Sequence, residues 1–295
     1  PKVSAGHTRK ATNPKSGTTI MNILSAIVYG IIQGLTEFLP VSSSGHLAIA
    51  GAIFGKGDIE ADNFTFFILL HLATLVAVLI VYAKDVFPLI PAFFRMIGKL
   101  FRGKHRMADF DDREKMVIYI IIATLPLVAA MFITDNVEAI SSYVKIVGGI
   151  LILNGAVLFL SDRISKGSKE LCDIKPRNAL TVGLCQLLAV FPGLSRSGST
   201  ITGGRLCGFS REFAVKFSFI LSIPAIIGAN IFKIPDMVKT PVPAADIPAY
   251  AVGMLVAALT GIAAMKLLAY ISRKSDFRIF SVYCVTVGIL AVIFG

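Results

Sequence analysis

Hydrophobic residues along this chain run in long blocks, and the period-of-two alternation typical of β-strands is absent from its sequence. Six blocks come close to or reach the ~20 apolar residues with which a helix crosses a hydrocarbon core of roughly 30 Å. They are Phe64–Ala83, Met116–Ile133, Tyr143–Leu160, Phe213–Phe232, Ala249–Tyr270 and Ile279–Phe294. The pattern predicts an all-α integral membrane protein with six transmembrane helices.

Two more apolar stretches, Met21–Phe54 and Asn178–Phe209, are each broken by a cluster of Ser, Gly and Pro. Irregular backbone is tolerated at membrane depth only where protein or a water-filled cavity satisfies its polar groups. We therefore predict two re-entrant helix pairs, each with its loop buried near the middle of the bilayer. Residues 1–20 are polar and basic, and we interpret them as a disordered or expression-derived leader outside the fold.

The two broken stretches resemble each other in sequence. The matched pairs are Gln33 with Gln186, Phe38 with Phe191, Ser42 with Ser195, Ser44 with Ser197 and Gly45 with Gly198. We predict a duplicated chain, with residues 21–160 as the first repeat and 161–295 as the second, each holding one re-entrant pair and three spans. Because three is odd, the second repeat enters the membrane from the opposite side. In such inverted repeats the broken helices meet near the midplane and form the site.

Loop charges predict the orientation in the membrane. The Lys and Arg residues behind the net charge of +11 lie mainly in loops, and no nucleic-acid recognition motif accompanies them. The basic connections at 84–115, 163–177 and 273–274 belong in the cytoplasm, and the acidic connection at 134–142 belongs outside. This arrangement places both termini outside, with the bilayer as a partner and no nucleic acid.

The first broken stretch contains a carboxylate, several hydroxyls and an imidazole, which are costly in lipid and therefore indicate function. Glu37 and Gln33 lie four residues apart on one helical face, so their oxygens suit a divalent cation, Mg²⁺ or Ca²⁺. Ser43 and His46 both suit phosphoryl chemistry, since either residue is able to attack phosphorus or to assist a water. The residues leave that choice open.

The second broken stretch places one arginine among hydroxyls and glycines. A guanidinium fork, hydroxyls and backbone N–H groups at helix starts are what a phosphate requires. The predicted phosphate-binding residues of the two stretches are Ser42, Ser44, Ser195, Arg196, Ser197 and Thr200.

Structural interpretations of the same residues stay open. Glu37 and Arg196 would also suit an ion pair between the repeats, His46 would suit helix packing, and the serines would suit helix caps. His71 and Arg205 each stand alone in an apolar run, and we interpret both as structural or accessory.

The two motifs resemble those of a known family. The stretch Gln33–His46 is similar to an (E/Q)xxxE motif followed by PVSS(S/T)GH, and Pro192–Thr200 matches PGxSRSxxT. These motifs, in this order, are those of the undecaprenyl-diphosphate phosphatases, the bacitracin-resistance family, and the resemblance covers Met21–Gly295. It implies a phosphatase of the bacterial cytoplasmic (inner) membrane that removes the terminal phosphate of undecaprenyl diphosphate. That reaction regenerates the lipid carrier for cell-wall synthesis.

The resemblance also implies residue roles and a divalent cation. Glu37 and Gln33 would bind the metal and phosphate, and Ser43 and His46 would carry out the phosphoryl-transfer step. The residues that would bind the diphosphate are Arg196, Ser195, Ser197 and Thr200. Gln33 stands where many relatives have Glu, which leaves one fewer charge for a metal.

Two other functions stay open beside this one. Inverted repeats with broken helices are also the plan of transporters and lipid flippases, although transport alone does not require a carboxylate, hydroxyl and imidazole opposite an arginine. The type 2 phosphatidate phosphatases share the Ser195-Arg196 piece, but their histidine after five intervening residues is Thr202 here. The oligomeric state is left open, with a homodimer as one option.

Overall fold

A computed structural model describes residues 21–53, 63–130, 137, 139–164, 167–239, 242–274 and 276–295. Within them every regular element is helical, apart from an isolated bridge between Lys169 and Phe209. The α-helices are α1 Ile23–Phe38, α2 Ser43–Ile53, α3 Phe64–Val81, α4 Ala83–Val86, α5 Leu89–Phe101, α6 Asp112–Ala130, α7 Val144–Ile164, α8 Pro176–Leu188, α9 Arg196–Leu206, α10 Arg211–Lys239, α11 Ile247–Lys274 and α12 Arg278–Phe294. The predicted leader, 1–20, lies outside the described residues.

Four helical segments are long and apolar enough to cross a bilayer, namely Phe64–Val81, Val144–Arg163, Arg211–Pro235 and Ala244–Lys274. Two further helices, α1 and α12, are apolar but shorter, and α6 begins with a charged turn at 112–115. The all-helical membrane class predicted from the apolar blocks is therefore confirmed for the described part of the chain. The count of six spans and the re-entrant placement stay predictions.

The basic connection between α3 and α6 is not only a loop, because it contains α4 and α5. α5 buries Ala92 and Met96 against a small cluster that includes Phe110. On another face it exposes Phe94 and Phe101, which are 66% and 88% accessible. A search for membrane spans misses such a helix, because its apolar residues lie in stripes with a helical period and basic residues interrupt them.

Each broken stretch folds as two helices separated by a short break. α1 ends where Pro40 keeps the preceding Leu39 out of the helical region, at φ −66° and ψ 145°. Ser42 then adopts φ 73°, a left-handed conformation that a serine rarely takes, and Gly193 has φ 98° in the second break. These turns reverse the chain so that α2 and α9 begin inside the helical bundle.

The two predicted repeats are interlocked. α1 packs on α11, α8 packs on α6, and α7 pairs with α12. Glycines allow the close approach, since a Cβ on Gly34 would collide with the carbonyl oxygen of Ala257 and one on Gly183 would meet that of Ala123. The first helix of each predicted half thus packs on the second span of the other half. This exchange of partners is what inversion-related halves would make, while the division at residue 160 stays a prediction.

The largest buried cluster surrounds the first break and contains Phe38, Leu151, Ile201 and Phe219, all nearly inaccessible. The Phe38 and Phe219 rings meet edge to face, with centroids 5.7 Å apart. Many large apolar side chains point away from this core, for example Leu255, which is 61% accessible. An outer surface of this kind is expected where the solvent is lipid.

Candidate active site

The two breaks meet each other inside the bundle. A Cβ on Gly45 would lie 3.1 Å from the Cα of Gly193, so the backbones of the two loops nearly touch. Asn154 of α7 ties them together, because its Nδ2 donates to the Pro40 carbonyl at 3.0 Å and its Oδ1 accepts from the Ser195 N–H at 3.0 Å. Residues from both predicted repeats therefore share one site.

Glu37, at the end of α1, is the centre of this site. Its Oε1 accepts a hydrogen bond from Arg196 Nη2 at 2.6 Å, which is a charged pair between the two breaks. Its Oε2 accepts from Gln33 Nε2 at 3.0 Å and from Ser43 Oγ at 3.1 Å. The Glu37 side chain is only 7% accessible, so these donors replace most of its water.

Two of the predicted phosphate-binding serines cap helices in this conformation. Ser42 Oγ accepts from the Gly45 N–H at 3.2 Å at the start of α2, and Ser195 Oγ accepts from the Gly198 N–H at 3.1 Å at the start of α9. α2 and α9 therefore both begin beside the Glu37–Arg196 pair. The positive ends of two helix dipoles therefore converge on one place.

The hydroxyls of the other predicted phosphate-binding residues, Ser44, Ser197 and Thr200, contact other groups of the protein. Ser44 Oγ lies 3.4 Å from Ser42 Oγ, and Ser197 Oγ donates to the Leu39 carbonyl at 3.2 Å. Thr200 Oγ1 lies 2.6 Å from Ser218 Oγ on α10. Thr200 thus contacts a neighbouring helix.

His46 is held by partners on both ring nitrogens. Its Nδ1 donates to the Ser42 carbonyl at 2.8 Å, since a carbonyl only accepts, and its Nε2 then accepts from the Tyr283 hydroxyl at 2.8 Å. The two rings are nearly parallel, at an interplanar angle of 3°. This arrangement connects the first break with α12.

His71, interpreted from the sequence as structural or accessory, lies beside Glu37. Its Nδ1 lies 2.9 Å from the Phe67 carbonyl, and its Nε2 lies 3.7 Å from Glu37 Oε2. Nothing in the motif spacing points to it, because it belongs to neither broken stretch. Its one signal is an imidazole in the middle of an otherwise apolar span.

The residues around Glu37 fit a hard divalent cation in part. Gln33 Oε1 is buried and has no hydrogen-bond partner, although its own Nε2 is bonded to Glu37. A carboxylate, an amide oxygen and a hydroxyl are ligands that Mg²⁺ and Ca²⁺ prefer, with substrate phosphate completing the shell. No group of three His, Cys, Asp or Glu residues suited to a metal occurs among the described residues. Any ion here would therefore depend on amide, hydroxyl and substrate oxygens.

Comparison with known proteins decides the family. Residues 26–290, most of the chain, match the family described as bacitracin resistance protein BacA. The chain belongs to this family.

Three relatives that carry the name undecaprenyl-diphosphatase illustrate the extent of this similarity. The one from Alkaliphilus metalliredigens is 38% identical over 277 residues, covering 93% of this chain and 99% of its own. The one from Methanobrevibacter smithii is 38% identical over 275 residues, with coverages of 92% and 96%. The one from Korarchaeum cryptofilum is 40% identical over 270 residues, with coverages of 91% and 98%. The resemblance noted from the two motifs is thus confirmed over nearly the whole chain.

In this bacitracin resistance protein family member, the predicted site residues form two groups. Gln33, Ser43 and Arg196 all bond directly to Glu37. The remaining predicted residues cap helices or bond to other parts of the protein, and they are Ser42, Ser44, His46, Ser195, Ser197 and Thr200. The catalytic, phosphate-binding and metal-binding roles of all of them stay predictions.

A cavity of about 690 Å³ lies apart from these residues, at the end of the bundle where α3 and α11 finish and α6 and α10 begin. Its wall carries both signs of charge, with Lys216 and Asp85 paired at 2.6 Å. None of the predicted site residues lines it. The cavity therefore does not mark the chemistry around Glu37.

Proposed function

We propose that this protein is a membrane phosphatase that hydrolyses undecaprenyl diphosphate to undecaprenyl phosphate and inorganic phosphate. Membership of the bacitracin resistance protein family and the names of its relatives support the substrate. The observation that carries the site is the contact of Arg196 with Glu37, between the N-termini of α2 and α9. The reaction recycles the lipid carrier for cell-wall synthesis.

Arg196 is the principal phosphate ligand in this proposal. A guanidinium has five N–H donors in one plane, so Arg196 holds Glu37 through one of them and offers others to phosphate oxygens. The N-termini of α2 and α9 add two positive dipole ends. Ser42, Ser44, Ser195, Ser197 and Thr200 keep these two helix starts in place and add hydroxyls beside them.

Ser43 is the nucleophile in this proposal. Its hydroxyl donates to Glu37 Oε2, so the carboxylate is placed to take the proton as the Ser43 oxygen bonds to the terminal phosphorus. The bond from that phosphorus to the bridging oxygen breaks, and the lipid phosphate leaves. Water then hydrolyses the phosphoserine to inorganic phosphate. Both nitrogens of His46 have protein partners, which supports a positioning role for that residue.

A divalent cation, Mg²⁺ or Ca²⁺, completes the site in this proposal. Glu37 Oε2, Gln33 Oε1 and Ser43 Oγ would hold it, and the buried Gln33 oxygen without a partner supports that placement. When bound, the ion neutralises charge on the phosphate oxygens.

The chain is proposed to cross the bacterial inner membrane six times, with two re-entrant pairs and both termini outside. α5 supports this orientation, since its basic residues and its exposed Phe94 and Phe101 suit an interfacial helix on the cytoplasmic side. α12 has 17 residues, which rise about 26 Å and fall a few ångströms short of a typical hydrocarbon core. Local thinning of the bilayer accommodates a short span of this kind. Cysteine labels at 104 and 243 test this topology, and equal reaction from one side contradicts it.

Phosphate release from undecaprenyl diphosphate by purified protein in detergent tests the function. Transport is impossible without a membrane barrier, so release there separates a phosphatase from a flippase. We expect turnover by wild type and loss of turnover in Glu37→Gln. The Asp112→Asn variant is the matched control, since Asp112 is a surface acid that pairs with Lys115 and is not among the predicted site residues. Wild-type protein that binds the lipid but releases no phosphate contradicts the proposal.

A further inference from the structure

His71 has a fixed orientation toward the reacting carboxylate. A backbone carbonyl only accepts hydrogen bonds, so the Phe67 oxygen 2.9 Å from Nδ1 requires the proton on Nδ1. In the neutral ring the Nε2 lone pair then faces Glu37 Oε2, at 3.7 Å. The His71 side chain is 30% accessible, so it is not sealed in the core.

The distance between Nε2 and Oε2 is not that of a direct hydrogen bond. Bonds from ring nitrogen to oxygen are about 2.7–3.2 Å long, and 3.7 Å lies beyond them. The neutral ring therefore presents a lone pair to a carboxylate oxygen at a separation beyond hydrogen bonding. Two ligand atoms that are each about 2.1–2.6 Å from one cation lie roughly 3–4 Å from each other. The gap therefore has the size expected when two atoms share an ion.

Two further features match a metal ligand. Histidines that bind metals generally donate their second ring N–H to a carbonyl or carboxylate, as His71 does to Phe67. Gln33 donates its Nε2 to the same carboxylate oxygen, and its buried Oε1 has no hydrogen-bond partner. Together the three side chains offer one nitrogen and two oxygens of different chemical types.

We propose that His71 Nε2 is a ligand of the divalent cation, together with Glu37 Oε2 and Gln33 Oε1. The inference rests on the proposed function for the presence of a cation at this site. It adds a residue from α3, outside both motifs. An imidazole ligand shifts the preference of an oxygen site from Ca²⁺ and Mg²⁺ toward the first-row transition metals, of which Mn²⁺ is the one best suited to the remaining oxygen ligands.

Mn²⁺ is the probe that tests this inference without an activity assay. Purified wild-type protein in detergent is loaded with one equivalent of Mn²⁺, and pulsed electron paramagnetic resonance detects ¹⁴N of a directly bound imidazole. We expect that nitrogen signal in wild type and its loss in His71→Gln, with Mn²⁺ affinity reduced on the order of 10-fold or more. His71→Asn is the second variant, and a size-exclusion profile checks that each variant is folded.

His46→Ala is the matched control. It removes the other imidazole of the site, which the structure bonds to Tyr283 and Ser42, so the nitrogen signal should persist. A nitrogen signal that survives in folded His71→Gln, or bound Mn²⁺ without any nitrogen coupling in wild type, overturns the inference. The second result is expected if His71 and Glu37 form only an ion pair. Wild type that does not bind Mn²⁺ overturns it as well.

The Mn²⁺ experiment and the phosphate-release assay can fail independently. Phosphate release with no nitrogen coupling leaves the phosphatase in place and removes His71 from the metal. A nitrogen signal in protein that releases no phosphate keeps the metal ligand and contradicts the phosphatase.

Discussion

Replacing Arg196 with lysine separates the shape of the guanidinium from its charge. In the structure Arg196 Nη2 holds Glu37 Oε1 at 2.6 Å, and both side chains are largely buried, at 18% and 7% accessible. An ammonium is able to keep that ion pair, so the variant should fold. Lysine lacks the planar pair of nitrogens with which an arginine binds a phosphate while it also holds a carboxylate.

The expected loss of turnover follows from that geometry. Removing one preorganised donor to a transition-state oxyanion typically lowers kcat by about 10² to 10³-fold, or roughly 2.7–4 kcal/mol. We expect Arg196→Lys to fall in that range for phosphate release from undecaprenyl diphosphate in detergent. Its thermal unfolding midpoint should stay near that of wild type, because the buried charge of Glu37 remains paired.

Arg95→Lys is the control for the chemistry of this substitution. Arg95 pairs with Asp111 at 3.2 Å and with the buried Glu114 at 3.5 Å. Lysine keeps the positive charge beside both acids, and neither acid is among the predicted site residues, so this variant should release phosphate at the wild-type rate. Near-normal turnover of Arg196→Lys would refute the reasoning, since it would mean that positive charge alone is sufficient at residue 196.

Four other variants test the site and the fold. Ser43→Ala should abolish turnover. His46→Ala should leave slow activity, because an imidazole that only assists proton transfer contributes about 10² to 10⁴-fold. If His46→Ala lowers phosphate release more than Ser43→Ala does, Ser43 is not the nucleophile. Gly34→Leu should lower the thermal unfolding midpoint, since its side chain enters the contact between α1 and α11, and an unchanged midpoint contradicts that contact. The hydrogen bond from the Glu114 N–H holds the pKa of Asp111 below its ordinary value. At neutral pH the wild type should therefore have a higher thermal unfolding midpoint than Asp111→Asn. This difference should disappear below about pH 4, where Asp111 is protonated.

The helical elements of this protein were largely predictable, and the site was predictable in part. Apolar blocks locate the long helices because a helix in lipid must be apolar over most of its length. Motif spacing located Glu37, Gln33, Ser43 and Arg196, which the structure brings together. α5 was missed because its apolar residues follow a helical period inside a basic segment.

The sequence by itself determined which long apolar segments are helical, where two of them break, and which residues bear charge at those breaks. These are local properties, set by side-chain hydropathy, by Pro40 and Gly193, and by the cost of polar groups in lipid. The tertiary structure decided which partners those residues meet. His46 contacts Tyr283 on α12, and His71 of α3 lies beside Glu37. Packing between distant helices sets both contacts, and no local sequence pattern encodes them.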